Sequence, residues 1–97
     1  MAAKYFKITE VVSICGVDED FILTLEREHL VAPVVENEEK LYPPEQVDRV
    51  RVAHLLMQEM GVNLEGAEVA LHMREQMIAM QRQFGEVLRR LSEELKK

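Results

Sequence analysis

The C-terminal third of the chain sets the strongest limit on what it can fold into. After Asn63, a suitable helix cap, residues 64–97 contain no proline, and apolar side chains recur at alternating spacings of four and three residues. This seven-residue repeat is typical of a helix that pairs along one apolar stripe. Such a stripe must be covered, either by the rest of the chain or by a second copy. We call this stripe the heptad seam, and it consists of Met73, Met77, Met80, Phe84, Val87 and Leu91.

We predict that the heptad seam is the interface of a homodimer. A helix rises about 1.5 Å per residue, so a helix this long extends beyond a domain built from the short N-terminal segments. The alternative is that the helix folds back as a fourth core helix of its own domain, and the sequence leaves that alternative open. Gly85 lowers the helix propensity within the seam region.

The N-terminal residues predict two short helices separated by a turn. Apolar residues at helical spacing indicate a first helix over residues 8–15, and Gly16 follows as a stop signal. Asp18 is a suitable N-cap for a second helix that ends near His29. Acidic side chains in the first turn of that helix suit the positive end of its dipole.

A β-hairpin and a third helix are predicted to follow. Two apolar segments, residues 30–35 and 40–42, flank a polar tip formed by residues 36–39, which is a pattern typical of a small hairpin. Pro44 suits the first turn of a helix that runs through Leu55 and Leu56 and stops at Gly61. Because proline cannot continue a central strand, the hairpin must end before that helix.

A chain of 97 residues has room for about one domain. We therefore predict a mainly α fold: a winged helix-turn-helix with a small β-hairpin wing and a long C-terminal coiled-coil-like helix. Residues 1–61 are predicted to form the winged-helix domain. Residues 62–97 are predicted to form a C-terminal helical dimerisation segment that is continuous with it.

The acidic residues are concentrated near the N-terminus. The chain has a formal net charge of −6, and residues 1–43 hold nine acids and four bases, a net charge of −5. Such a surface repels nucleic acid and attracts a basic protein surface. The simpler alternative is that the acids only keep the protein soluble.

We do not expect a membrane protein, a metal-binding protein or an enzyme. The chain has no apolar run long enough to span a membrane and no signal-peptide core, so a cytoplasmic location is expected. Its one cysteine, Cys15, lies among apolar residues and is predicted to pack in the core. His29, His54 and His72 are too scattered to suggest a metal site. No nucleophile–base pair or phosphate loop is present, so we expect neither a cofactor nor enzymatic activity.

The order of these segments resembles the MerR family of winged-helix regulators. The resemblance covers nearly the whole chain, and it implies a winged-helix fold. In DNA-binding members of that family the reading helix carries a Thr-Leu-Arg-Tyr-Tyr run before Glu-Arg. The residues that resemble the family pattern are Ile8-Thr9-Glu10-Val11-Val12, Gly16-Val17, Glu26-Arg27, Leu30-Val31-Ala32-Pro33, Leu41-Tyr42 and Gly61-Val62-Asn63-Leu64.

The positions that read DNA in that family differ here. The run before Glu26 is Phe21-Ile22-Leu23-Thr24-Leu25, which lacks the arginine and both tyrosines. Val35 stands where a basic residue is usual, and the predicted hairpin tip carries three glutamates. Glu26 and Arg27 are interpreted as a local exposed pair, which leaves Lys40 as the basic residue of the wing.

These departures are similar to those of the CbpM family of chaperone-modulatory proteins, on the evidence of residues 16–20, 30–33 and 63–71. The resemblance implies binding to the J-domain of a CbpA/DnaJ-type co-chaperone, which blocks its engagement of the Hsp70 protein DnaK. The J-domain face offered to Hsp70 is basic in that family, so an acidic competitor complements it. The residues predicted to contact this partner are Asp18, Glu19, Asp20, Leu23, Thr24, Glu36, Glu38 and Glu39.

The alternative function is a MerR-family transcriptional regulator that resembles the heat-shock repressor HspR. Such a protein binds a palindromic operator as a dimer, and Arg27, Lys40, Arg49 and Arg51 are the residues that could contact phosphates. A steep loss of affinity with added salt would favour this alternative.

Overall fold

The computed structural model describes residues 4–96. Its helical and strand elements occur in the order that the sequence predicts, and the mainly α winged-helix fold is confirmed. A π-helical turn, Leu55–Glu59, continues the third helix directly. The elements are α1 (Ile8–Cys15), α2 (Glu19–Arg27), β1 (Val34–Glu36), β2 (Glu39–Leu41), α3 (Pro44–His54) and α4 (Leu64–Leu95).

The ends of α1 and α2 are fixed by local hydrogen bonds. Gly16 follows α1 with a left-handed backbone (φ 67°), and its N–H donates to the carbonyl of Val12 at 3.0 Å. The Asp18 carboxylate accepts from the Phe21 N–H at 2.8 Å, so the predicted N-cap of α2 is confirmed. The second helix ends at Arg27, close to the predicted end, and His29 then turns the chain with a φ of 64°.

The hairpin has a shorter turn than the sequence predicts. Strands β1 and β2 pair antiparallel, with Glu36 opposite Glu39, and only Asn37 and Glu38 form the turn. Both turn residues have positive φ values, 51° and 63°, a backbone that suits the right-handed twist of two paired strands. The predicted four-residue tip is therefore wrong, because its outer two residues belong to the strands.

The third helix also differs from the prediction. Pro44 occupies its first turn as expected, but the regular α-helix ends at His54 instead of running to Gly61. The π-helical turn that follows adds a residue per turn and rotates the side chains after it. Within this turn Leu55 is exposed, whereas Leu56 packs against the core.

The core lies where the three short helices, the start of the hairpin and the first turns of α4 meet. Tyr42 is its largest fully buried side chain, and its backbone forms an isolated bridge with Phe6. Asn63 caps α4, because its side-chain oxygen accepts from the Gly66 N–H at 2.8 Å. The buried residues are Val11, Val17, Ile22, Leu25, Leu30, Val31, Tyr42, Val47, Val50, Ala53, Ala67 and Leu71.

Beyond Leu71 the fourth helix leaves the core. Residues 72–95 span about 36 Å at 1.5 Å per residue, within a molecule whose longest dimension is 56 Å. Every member of the heptad seam is between 52% and 67% exposed. The alternative that this helix folds back as a core helix is therefore wrong for the described residues. None of the helices in residues 4–96 is both long and apolar enough to cross a membrane.

Candidate partner-binding site

The predicted contact residues fall into two separate groups. Glu19 and Asp20 are exposed in the first turn of α2, and Leu23 and Thr24 are half-buried one turn later. The hairpin glutamates are also exposed, but they do not line the same surface depression as Asp20. The structure thus brings the α2 residues together and leaves Glu36 and Glu38 apart from them.

An open cleft separates α2 from the hairpin. It has a volume of about 500 Å³, and we call it the α2–hairpin cleft. Three of the predicted contact residues line it, together with the last turn of α2 and one strand residue. The lining residues are Asp20, Leu23, Thr24, Glu26, Arg27, His29 and Lys40.

Glu26 connects the two sides of the α2–hairpin cleft. One of its carboxylate oxygens lies 2.8 Å from the Lys40 ammonium, and the other accepts from the Tyr42 hydroxyl at 3.2 Å. The prediction of a local pair between Glu26 and Arg27 is wrong, because Arg27 instead donates to the Thr24 hydroxyl at 3.2 Å. Sequence reasoning missed this role of Glu26, since its partners lie on the hairpin strand and beyond it and local spacing does not indicate them.

Tyr42 remains a neutral donor at physiological pH. Its burial raises the pKa of its phenol, and the charge of Glu26 and the hydrogen bond to Glu26 raise it further, to about 12. The charge of Glu19 acts in the same direction. The hydroxyl therefore keeps donating to Glu26, which fixes the orientation of that carboxylate at the base of the cleft.

The other residues at the start of α2 divide between structural and exposed roles. Asp18 is occupied as the cap of α2. The Thr24 hydroxyl donates to the Asp20 carbonyl at 2.9 Å and accepts from Arg27, so its hydrogen-bonding capacity is used locally. Leu23 is consequently the half-exposed apolar side chain that the cleft offers to a partner.

Most of the basic residues suggested for phosphate contacts are engaged within the chain. Lys40 binds Glu26, and Arg27 binds Thr24. Arg49 donates to the Leu30 carbonyl and forms an ion pair with Glu75 of α4. Arg51 is exposed. A polyanion would therefore meet a surface on which several of the bases already serve the fold.

Cys15 packs beside the core, as the sequence predicts. It is half-buried, and its thiol donates to the Val47 carbonyl at 3.6 Å. Burial raises the pKa of the thiol, the charge of Arg51 partly opposes this, and Asp48 adds to the increase. Fewer thiolate ions form at neutral pH as a result, which suits a packing role. Residues 4–96 contain no cluster of three or more side chains that could hold a metal ion.

The heptad seam offers a second surface. An open apolar groove of about 680 Å³ lies on α4, and Met80, Phe84, Gly85, Val87 and Leu88 are among the residues that line it. At its N-terminal end the helix is held to α3, because Arg74 lies 2.6 Å from Asp48.

Comparison with known proteins agrees with this architecture. No curated protein is significantly similar to the chain. Residues 6–90 match the model of a family described as MerR HTH family regulatory protein. The match extends from the segment before α1, through the helix-turn-helix and the hairpin, to most of α4. The chain therefore belongs to the MerR family of helix-turn-helix regulatory proteins.

Proposed function

We propose that the protein is a non-enzymatic regulator that binds the J-domain of a CbpA/DnaJ-type co-chaperone and blocks its engagement of the Hsp70 protein DnaK. One observation carries the proposal. The start of α2 presents Glu19 and Asp20, while the basic residue facing it across the α2–hairpin cleft, Lys40, is bound to Glu26. This arrangement suits a basic protein surface better than a phosphate backbone.

The charge distribution supplies the mechanism of recognition. The net charge of −5 over residues 1–43 attracts a basic J-domain face and raises the association rate. Apolar contact with Leu23, which is half-exposed in the cleft, then slows dissociation. A J-domain held in this way is unable to present the same face to Hsp70, so inhibition results from occupancy alone.

A homodimer formed through the heptad seam is the second part of the proposal. All six seam side chains are more than half exposed, and they lie on the side of α4 opposite Ala67 and Leu71, which face the core. A second copy covers them without disturbing the packing of either domain.

The spacing of the seam is compatible with antiparallel pairing. Its residues are symmetric about position 82, so an antiparallel partner places Met73 opposite Leu91, Met77 opposite Val87 and Met80 opposite Phe84. Continuing the heptad by three residues from Leu91 reaches Glu94. A parallel pair in register would place the two copies of Glu94 against each other, and opposed like charges are destabilising.

The alternative function is that of an HspR-like DNA-binding regulator. Membership of the MerR family, the paired hairpin and the exposed Arg51 favour it. Fold alone does not decide between the two functions, because a family can place different sites on one scaffold. The negative charges of Glu19 and Asp20 on α2 lower the affinity for DNA, but they do not prevent weak DNA binding.

The first test is a titration of the purified full chain against an isolated J-domain and against duplex DNA at about 50 mM and about 200 mM salt. The proposal expects saturable J-domain binding at both salt concentrations, with faster association at the lower one. Absence of J-domain binding at low salt, together with tight DNA binding that weakens steeply with salt, would establish the alternative.

A charge-reversed variant then locates the surface. Glu19→Lys with Asp20→Lys is expected to slow association with the J-domain about tenfold or more. Asp18 is left unchanged, since its loss would also remove the cap of α2. The matched control is Glu65→Lys with Glu68→Lys, which changes the net charge equally but lies on the exposed first turns of α4. Equal slowing by both variants would place the contact elsewhere.

A further inference from the structure

The bond between Lys40 and Glu26 joins two groups with different exposure. The Glu26 side chain is 20% exposed at the base of the α2–hairpin cleft, whereas the Lys40 side chain is 49% exposed. Tyr42 binds the second carboxylate oxygen of Glu26 and holds it in place. The cleft therefore contains a fixed, mostly buried carboxylate whose remaining oxygen is covered by a lysine that can leave for solvent.

We propose that Glu26 anchors a basic side chain of the protein partner, best an arginine, and that Lys40 occupies this cation site until the partner replaces it. The identity of the partner rests on the proposed function, but the chemistry of the site does not. Lys40 shows what the site accepts: a cation that reaches the free oxygen of Glu26 at 2.8 Å.

Arginine suits the cleft better than lysine. Its guanidinium offers several N–H donors in one plane and is more weakly hydrated than an ammonium group, so it loses less on entering a partly closed site. Its aliphatic stem can pack on Leu23, which is the half-exposed apolar residue of the cleft. Asp20 lies six residues before Glu26 along α2, about 9 Å away along the helix axis, and places a second negative charge at the far end of the cleft.

Because Lys40 already occupies the site, an isolated cation binds there with low affinity. A partner that makes further contacts in the cleft binds more tightly. Because the Lys40 side chain is half exposed, it leaves Glu26 at a small cost when a partner also contacts Leu23 and Asp20. Removing Lys40 removes that competition, and partner binding should tighten. If Lys40 instead contacted DNA phosphates, its removal would weaken DNA binding.

The test compares Lys40→Met with Lys7→Met in the full chain, titrated against the isolated J-domain. Both substitutions remove one positive charge and one ion pair, but Lys7 pairs with Glu39 at 3.5 Å and does not line the cleft. We expect Lys40→Met to bind about two- to fivefold more tightly than Lys7→Met. Equal affinities, or weaker binding by Lys40→Met, would overturn the proposal while leaving the proposed function in place.

A second pair of variants addresses the anchor itself. Glu26→Gln keeps an acceptor for Tyr42 but loses the charge, and it is expected to weaken J-domain binding about ten- to hundredfold. Adding Lys40→Met to Glu26→Gln should then change the affinity no more than Lys7→Met does, because the two residues act at one site. A gain from Lys40→Met that persists without the Glu26 charge would contradict the proposal. Circular dichroism checks that each variant is folded.

A small probe separates failure of the site from failure of the proposed function. The isotope-labelled full chain is titrated with N-acetyl-arginine amide in the millimolar range, and backbone amide shifts are followed by NMR. We expect shifts at Leu23, Thr24 and the backbone amide of position 40, and these shifts should be larger in Lys40→Met and lost in Glu26→Gln. If the J-domain does not bind but these shifts appear, the cation site stands and its partner is another protein. Absence of the shifts in Lys40→Met would remove the site.

Discussion

Replacing Phe84 by alanine tests the proposed dimer most directly. Phe84 is 64% exposed in the single chain, and full burial of a side chain of this size contributes about 1.5–3 kcal/mol. Covering the exposed part is therefore worth about 1–2 kcal/mol for each copy. Since a two-fold dimer buries Phe84 twice, the substitution should weaken dimerisation by about 2–4 kcal/mol, which is roughly a 30- to several-hundredfold increase in Kd.

The measurement is sedimentation velocity over a concentration series, with Arg82→Ala as the control. Arg82 is an exposed, long side chain on the same part of α4 but points away from the heptad seam. Its truncation should leave the Kd of the dimer nearly unchanged. The thermal stability of the separated chain should not change with either substitution, because neither side chain is part of the core.

Two results would refute this reasoning. Wild-type protein that sediments as a single chain at high concentration would show that the seam is not paired with a second copy. A dimer that Phe84→Ala and Arg82→Ala weaken equally would show that pairing uses another face of α4.

Three further predictions concern stability. Asp18→Ala should lower the free energy of unfolding by about 1 kcal/mol and the Tm by about 4–8 °C, measured by circular dichroism, whereas Asp20→Ala should change both little. Leu71→Ala should cost about 2–5 kcal/mol in urea unfolding, because Leu71 is fully buried where α4 meets the core. The Tyr42 pKa, raised from 10.0 to about 12, should appear in an absorbance titration of Tyr5→Phe, which retains Tyr42 as its one tyrosine. Folding favours the neutral phenol, so the stability it contributes is complete below pH 10 and is lost as the pH rises through 12.

The elements that the sequence predicted well are those with local physical causes. Gly16, Asp18, Pro44 and Asn63 each act within a few residues of their own position, by capping a helix or fixing one backbone angle. The heptad seam was also readable, because a helix repeats its own faces regardless of what covers them. These signals were sufficient to predict the winged-helix architecture from the sequence.

The features that the sequence did not predict have no local sequence signal. The π-helical turn Leu55–Glu59 lies in a stretch whose residues fit a regular helix equally well, and no proline or glycine within it indicates a change. The bonds from Glu26 to Lys40 and Tyr42 require the hairpin to fold against α2. In the sequence, Arg27 is the basic residue nearest to Glu26. The structure shows that Arg27 instead donates a hydrogen bond to the Thr24 hydroxyl.

The two candidate functions can be separated by stoichiometry, because they would use the symmetry of the proposed dimer differently. An operator is read by both copies together, so a DNA-binding dimer takes one duplex per two chains. The α2–hairpin cleft is complete within a single chain, since its lining residues come from α2, from His29 just beyond α2, and from β2. If the proposed function and dimer are correct, the two clefts of a dimer are expected to bind two J-domains independently, and calorimetry should give one J-domain per chain. Saturation at one J-domain per dimer would mean that the J-domain binding surface spans both copies, and the cleft would no longer account for recognition.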